Sequence, residues 1–137
     1  MAHSDSPGLS KRLGIERRRI AAQHQLLGEL WQSFLDPFET GDTRSARLAF
    51  TSLCEGVTAH FDVEERIHIP ALHGANPSVT EALQEIVSDH RRFRNELNRI
   101  AEALSAADLE AVAAMVAPLI RAFADHEVRE EDLFKGL

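Results

Sequence analysis

Residues 60–65 read His60-Phe61-Asp62-Val63-Glu64-Glu65 and residues 126–131 read His126-Glu127-Val128-Arg129-Glu130-Glu131, so the pattern His-x-x-x-Glu-Glu occurs twice, 66 residues apart. The remaining inward histidines extend the correspondence. His24 precedes His60 by 36 residues, His90 precedes His126 by the same 36, and His24 and His90 are again 66 apart. Self-similarity at a fixed offset is the mark of a repeated structural unit. At about 100° per residue, a side chain four positions along a helix lies only about 40° around it and one turn on. Glu64 and Glu130 therefore share a face with His60 and His126. Glu65 and Glu131, about 140° away, point outward or into a layer behind the histidines.

Working outward, four segments carry apolar residues at helical spacing, and none shows sustained strand alternation. The first spans about Ser10 to Leu35, with Ile20, Leu27, Leu30, Trp31, Phe34 and Leu35 on one stripe, and Asp36-Pro37 is expected to stop it. The second, about Thr43 to Ile69, places Leu48, Phe50, Leu53, Val57, Phe61 and Ile67 inward and ends before Pro70. After a breaker-rich loop from Ala71 to Pro77, Ser78-Val79-Thr80-Glu81 has the form of a capping box opening the third helix. That helix carries Leu83, Ile86, Val87, Phe93, Leu97, Ile100 and Leu104. The fourth carries Leu109, Val112, Val116, Leu119, Phe123 and Leu133, with Pro118 expected to kink it or break one hydrogen bond. The expected fold is all-α: an up-down-up-down antiparallel four-helix bundle over residues 10–137, built of two pseudo-symmetric hairpins, after a loose tail at residues 1–9. Lys11, Arg12, Arg17, Arg18 and Arg19 read as a solvated helix face.

Each helix aims one imidazole at the bundle axis: His24, His60, His90 and His126 all fall in line with apolar neighbours, and Glu64 and Glu130 join them. Leaving six such polar side chains unpaired in a core would cost roughly 1 to 3 kcal/mol each. A pair of metal ions satisfies them together. Imidazole plus carboxylate without thiolate suits iron, manganese or zinc, and two carboxylates reaching across the axis are placed to bridge two cations. With two histidines per ion and both carboxylates shared, each ion has four protein ligands. A bridging oxide or hydroxide would make five and leave one position open for a small molecule.

Composition narrows the alternatives. With 44% apolar and 27% charged residues, 137 residues make one globular domain. Fifteen Lys and Arg against 22 Asp and Glu leave a formal charge of -7, which repels a phosphate backbone, so nucleic acid is not expected as a partner. No apolar run approaches a membrane span, no signal core opens the chain, and the single Cys54 offers no internal disulfide, so a cytoplasmic protein without a membrane partner is expected. A ferritin-like site needs paired Glu-x-x-His motifs, and only Glu65 to His68 fits. A zinc protease needs His-Glu-x-x-His, which His126 to Glu130 fails at its last position.

The set His24, His60-x-x-x-Glu64, His90 and His126-x-x-x-Glu130 resembles the hemerythrin-like HHE cation-binding domain over about residues 15 to 135. The resemblance implies a four-helix bundle with a non-haem di-iron site, two irons bridged by the carboxylates and an oxo or hydroxo group, that meets dioxygen, nitric oxide or peroxide. Oxygen carriers of that family have a fifth histidine where Arg94 stands, and an aspartate five residues after the last histidine where this chain has Glu130 at four. The three-histidine cap that supports reversible oxygen carriage is therefore missing. What the resemblance leaves is a protein that binds or senses dioxygen or nitric oxide; a peroxide-decomposing or other redox enzyme; or an iron-responsive interaction module whose protein partner is open.

Two further residues stand near this set. His68, one turn beyond Glu64, is placed to add a ligand or relay protons, and Arg94 either steadies a bound anion or extends to solvent. His3 and His73 read as surface residues. Cys54 and Trp31 read as core filling.

Overall fold

The computed structural model describes residues 7–135 as α1 (Pro7–Glu39), α2 (Thr43–Val63), a π-turn (Glu64–His68), α3 (Ile69–Ala75), a 3-10 turn (Pro77–Val79), α4 (Thr80–Ser105) and α5 (Leu109–Lys135), with no strand among the described residues. Four long helices carry the fold: α1 packs on α2 and α5, and α4 packs on α5 and α2. Arg47 of α2 donates from Nε and Nη2 to the carbonyl of Leu104 at the end of α4, at 3.1 and 2.9 Å, placing a cation on the negative end of that helix. A Cβ on Gly56 would lie 2.5 Å from Leu30 Cδ1, so α2 lacks a side chain where the leucine of α1 comes closest.

The core divides into two parts. A large cluster joins Trp31, Phe34, Phe50, Phe61, Phe93 and Phe123 with the aliphatic residues of all four helices. A small one consists of Ile20, Leu72, Leu83 and Phe134. Along α1, α4 and α5 the inward histidine falls between the two, His24 between Ile20 and Leu27 and His126 between Phe123 and Phe134 for example, while His60 of α2 lies between Val57 of the large cluster and Leu72 of the small one, which α3 supplies. The polar residues thus form a layer with apolar packing on both sides, which fixes their backbone positions.

Several boundaries differ from the sequence expectation. α1 begins at Pro7 rather than Ser10, and the rest of the expected tail, residues 1–6, lies outside the described residues. It also runs through Pro37 to Glu39, where Gly41, at φ 84°, makes the turn. Pro37 is tolerated because it falls in the last turn of the helix, where the end carbonyls find donors beyond it: Thr40 N–H reaches Asp36 O at 3.3 Å and Asp42 N–H reaches Pro37 O at 2.9 Å. Asp42 then caps α2 by accepting from Ser45 N–H.

Pro70 does not end the second helix. The backbone stays right-handed helical from α2 through the π-turn into α3, where Ile69 N–H reaches Glu64 O. The wider turn relieves the contact a proline ring makes with the carbonyl one turn back. It also delays the helix rotation after Glu64, so His68 is buried where Ile67 was expected, and Ile67 is 45% exposed. Leu48 is exposed as well, because it lies about 200° from Phe50 and so opposite the Ala46, Phe50, Leu53 and Val57 stripe. Leu109, at the first turn of α5, lacks cover, and in the last turn Phe134 is buried while Leu133 is only half so.

The capping box at Ser78 does not form. Asn76 instead accepts from Ser78 N–H and Oγ, at 3.3 and 2.5 Å, and the 3-10 turn leads into α4. α5 continues through Pro118, which faces solvent, so the carbonyl that loses its donor there sits on the wet side. Arg17, Arg18 and Arg19 are exposed, whereas the side chains of Lys11 and Arg12 lie outside the described residues. No described helix is long and apolar enough to cross a membrane.

Candidate metal centre

His24, His60, Glu64 and Glu130 bring one donor atom each within 4.8 Å of one another, and so do Glu64, His90, His126 and Glu130. The two groups share both glutamates, and all six residues are buried. α1 contributes one imidazole, α4 one, α2 and α5 one imidazole each, and the glutamates come from α5 and the first position of the π-turn. His68, though buried, and Arg94 belong to neither group.

Behind each imidazole stands an acceptor for Nδ1. His24 Nδ1 meets Glu131 at 3.2 Å, His60 Nδ1 meets Gln23 at 2.6 Å, His90 Nδ1 meets Glu65 at 2.7 Å and His126 Nδ1 meets Asp89 at 3.0 Å. A carboxylate or amide oxygen only accepts, so Nδ1 carries the proton and donates it. Nε2 of the neutral ring is left with a lone pair pointing inward. Two of those lone pairs face Glu64, with Nε2 of His60 and of His90 each 3.1 Å from Oε1. His24, which has carboxylates on both sides, instead donates from Nε2 to Glu130 Oε1 at 2.8 Å. With Glu64 ionised, acceptor would face acceptor there. Both oxygens of Glu64, Oε2 of Glu130, and Nε2 of His90 and His126 are buried without a hydrogen-bond partner. Orphaned buried acceptors of these types, converging in pairs, fit divalent cations placed between them.

The electrostatics of the metal-free protein agree. Burial, and then the facing Glu130, push the Glu64 carboxyl far above the usual range. Burial alone would raise Glu130 too, but Glu64 and His24 beside it hold it below the usual value. Burial drives His60 down to about 3 and lowers His90 and His126. For His24 burial is outweighed by Glu130, Glu127 and Glu131, and its value rises. Two carboxyls in so dry a place cannot both ionise cheaply unless cations replace the missing water.

The outer residues follow the 66-residue offset. Gln23 and Asp89 each directly precede the first histidine of a hairpin and accept from the second, while Glu65 and Glu131 accept from the first histidine of the other hairpin. Of the four, Glu65 and Glu131 were expected outward or behind the histidines, and both stand behind them. Gln23 and Asp89 were missed. The offset that pairs His24 with His90 pairs them as well, and is the signal that would have found them.

Arg94 engages this outer layer. Its guanidinium pairs with Asp62 at 3.4 Å and Glu65 at 3.5 Å and lies over the Phe61 ring. Arg129 donates to Asp89 at 2.7 Å. His73 is exposed, and His3 lies outside the described residues. Cys54 is half-buried against the large core, where burial lifts its thiol to about 11. Trp31 packs edge-on against Phe34 and Phe123.

Neither the curated proteins nor the solved structures contain a significant match to the chain. The profile of the hemerythrin HHE cation binding domain matches residues 15–137, a span that takes in all four converging histidines and both shared glutamates. The chain belongs to the hemerythrin HHE cation-binding domain family.

Proposed function

We propose that the chain holds two iron ions, with His24 and His60 on one, His90 and His126 on the other, and Glu64 and Glu130 bridging them, and that it binds or senses dioxygen, nitric oxide or a related small oxidant. The observation that carries this reading is the pair of four-residue groups sharing both carboxylates. Manganese or zinc would suit the same donors. Bound there, an iron pair supplies reversible electron transfer to such molecules. The protein's share is to hold four imidazoles in one tautomer through Gln23, Glu65, Asp89 and Glu131 and to exclude bulk water with the two apolar clusters. Four protein donors per ion leave room for an added small ligand at each position.

We also read the long helices as an up-down-up-down bundle with a pseudo-two-fold axis through this layer. Support comes from the short connections, from the contact of Arg47 near the start of α2 with the end of α4, and from the outer acceptors that recur at the same offset.

The test is metal content and visible spectrum of protein from iron-supplied cells, before and after reduction and exposure to dioxygen or nitric oxide. About two irons per chain with bands that change on exposure are expected. No iron, or one zinc without spectral response, would refute the proposal. A second reading, peroxide decomposition, is favoured by Arg94, which is tied to Asp62 and Glu65 and supplies no third imidazole. It requires peroxide turnover above that of free iron and its loss in His90→Ala.

A further inference from the structure

We infer that the two metal positions are unequal, that the His24/His60 position is the one that releases and reloads its ion, and that Gln23 is the positioning residue that makes it so. This rests on the di-metal reading above. Three of the four outward imidazole nitrogens donate to carboxylates, and only His60 donates to a neutral amide, Gln23 Oε1. A carboxylate accepts the more strongly, raises the basicity of the ring and holds it against rotation, and the loss of such an outer partner costs about 10- to 100-fold in metal affinity.

The His90/His126 position has a carboxylate behind both rings, and each carboxylate is itself held by a guanidinium, Asp89 by Arg129 at 2.7 Å and Glu65 by Arg94 at 3.5 Å. Glu131, behind His24, accepts from its ring at 3.2 Å, the longest of the four outer contacts.

Cover is unequal in the same sense. Phe61 stacks on His90 with ring centroids 3.9 Å apart, and Phe93 meets His126 edge-on at 5.2 Å. At the 66-residue offset the corresponding residues are Glu127 and Leu27, neither of them aromatic, and the other pair has only the looser, tilted contact of Phe61 with His60 at 5.9 Å. His90 and His126 are 0% and 1% exposed, against 8% and 6% for His24 and His60. Between α1 and α2 a cavity of about 220 Å³, lined by Gln23, Leu27, Leu30, Gly56, His60 and Val63, gives water a route to the His60 side. Water that replaces ligands one at a time is what an ion needs in order to leave, and this cavity brings it up to His60 itself.

The test loads the full chain with two equivalents of cobalt(II), whose visible bands report its ligands, and challenges it with excess EDTA. Two phases are expected, with one ion leaving at least about tenfold faster than the other. Gln23→Glu, which copies the acidic partner found at Asp89, should slow the fast phase about tenfold and leave the slow phase unchanged, and Gln23→Met should speed the fast phase. Asp89→Asn should quicken the slow phase alone. A merely structural role for Gln23 would move both phases together. Release of both ions in one phase, or an effect of the Gln23 variants confined to the slow phase, would overturn the inference while leaving the two-ion centre in place. Failure of a folded chain to take up cobalt at all would overturn the centre itself.

Discussion

Metal-free protein should lose stability as pH rises above neutrality, and Glu64→Gln should abolish most of that loss. Glu64 is 0% exposed and is held far above its unfolded value of 4.5, so the folded chain keeps a proton that the unfolded chain has given up. Each pH unit above 4.5 then costs about 1.4 kcal/mol. His60 works the other way: at about 3 when folded and 6.5 when unfolded, it adds stability as pH rises between those values, and His90 and His126 act in the same direction. Glu127, lifted to about 7 by burial, adds its own loss only up to that pH.

Above pH 7 the opposing histidines are neutral in both states, which leaves Glu64, with His24 adding in the same direction because its folded value lies above 6.5. The Cys54 thiol, at 9.0 unfolded and about 11 folded, enters only above pH 9. Between pH 7 and 9 Glu64 alone should therefore cost about 2.7 kcal/mol. Urea unfolding of chelator-treated protein at pH 7, 8 and 9, wild type against Glu64→Gln, measures it. The glutamine keeps the side-chain shape but cannot ionise. A flat wild-type profile, or an equal slope in the variant, would refute the reasoning.

Removing the metals should itself lower the melting temperature. Each ion present at about 100 times its dissociation constant contributes about 2.7 kcal/mol, so an unchanged melt after chelation would show that the native chain holds no ions. Ala107 adopts φ 56° just after α4, where Asp108 N–H reaches Ala103 O and Ala107 N–H reaches Leu104 O. Glycine suits that conformation, and Ala107→Gly should raise the urea midpoint by an amount equivalent to about 1 kcal/mol. Asp42→Ala removes the cap on α2 and should cost about 1 kcal/mol by the same measurement.

The histidines and Glu64 and Glu130 could be brought together on paper because helical spacing and one offset constrain them jointly. A run of single residues at scattered positions would not have sufficed. The boundaries were less legible for a related reason: Pro37 and Pro70 signal a stop locally, but a proline near a helix end or after a wide turn costs little when its neighbours find other donors. Leu48 was misplaced by reading hydrophobicity instead of angle, since it lies opposite its stripe, and Ile67 was displaced by a turn no periodicity shows. Gln23 and Asp89 escaped notice because an acceptor behind a ring is defined by another helix's histidine, a relation that sequence spacing within one helix does not contain.

The wide turn at Glu64–His68 has a bearing on which length changes the chain can absorb. It holds one residue more than the α-turn it replaces, and α5, which carries the matching motif, has no such turn between Leu109 and Lys135. Because the surplus lies after Glu64, it leaves the spacing from His60 to Glu64 untouched. Deleting Arg66 or Ile67, both exposed, should let the segment relax into regular helix and return Leu72 to the same place in the small core. It can do so only if Pro70 is replaced in the same step, since its ring would then press on the carbonyl one turn back. The surplus residue and the proline are a compensating pair, each tolerable in the presence of the other, so lineages of this chain should lose or keep them together.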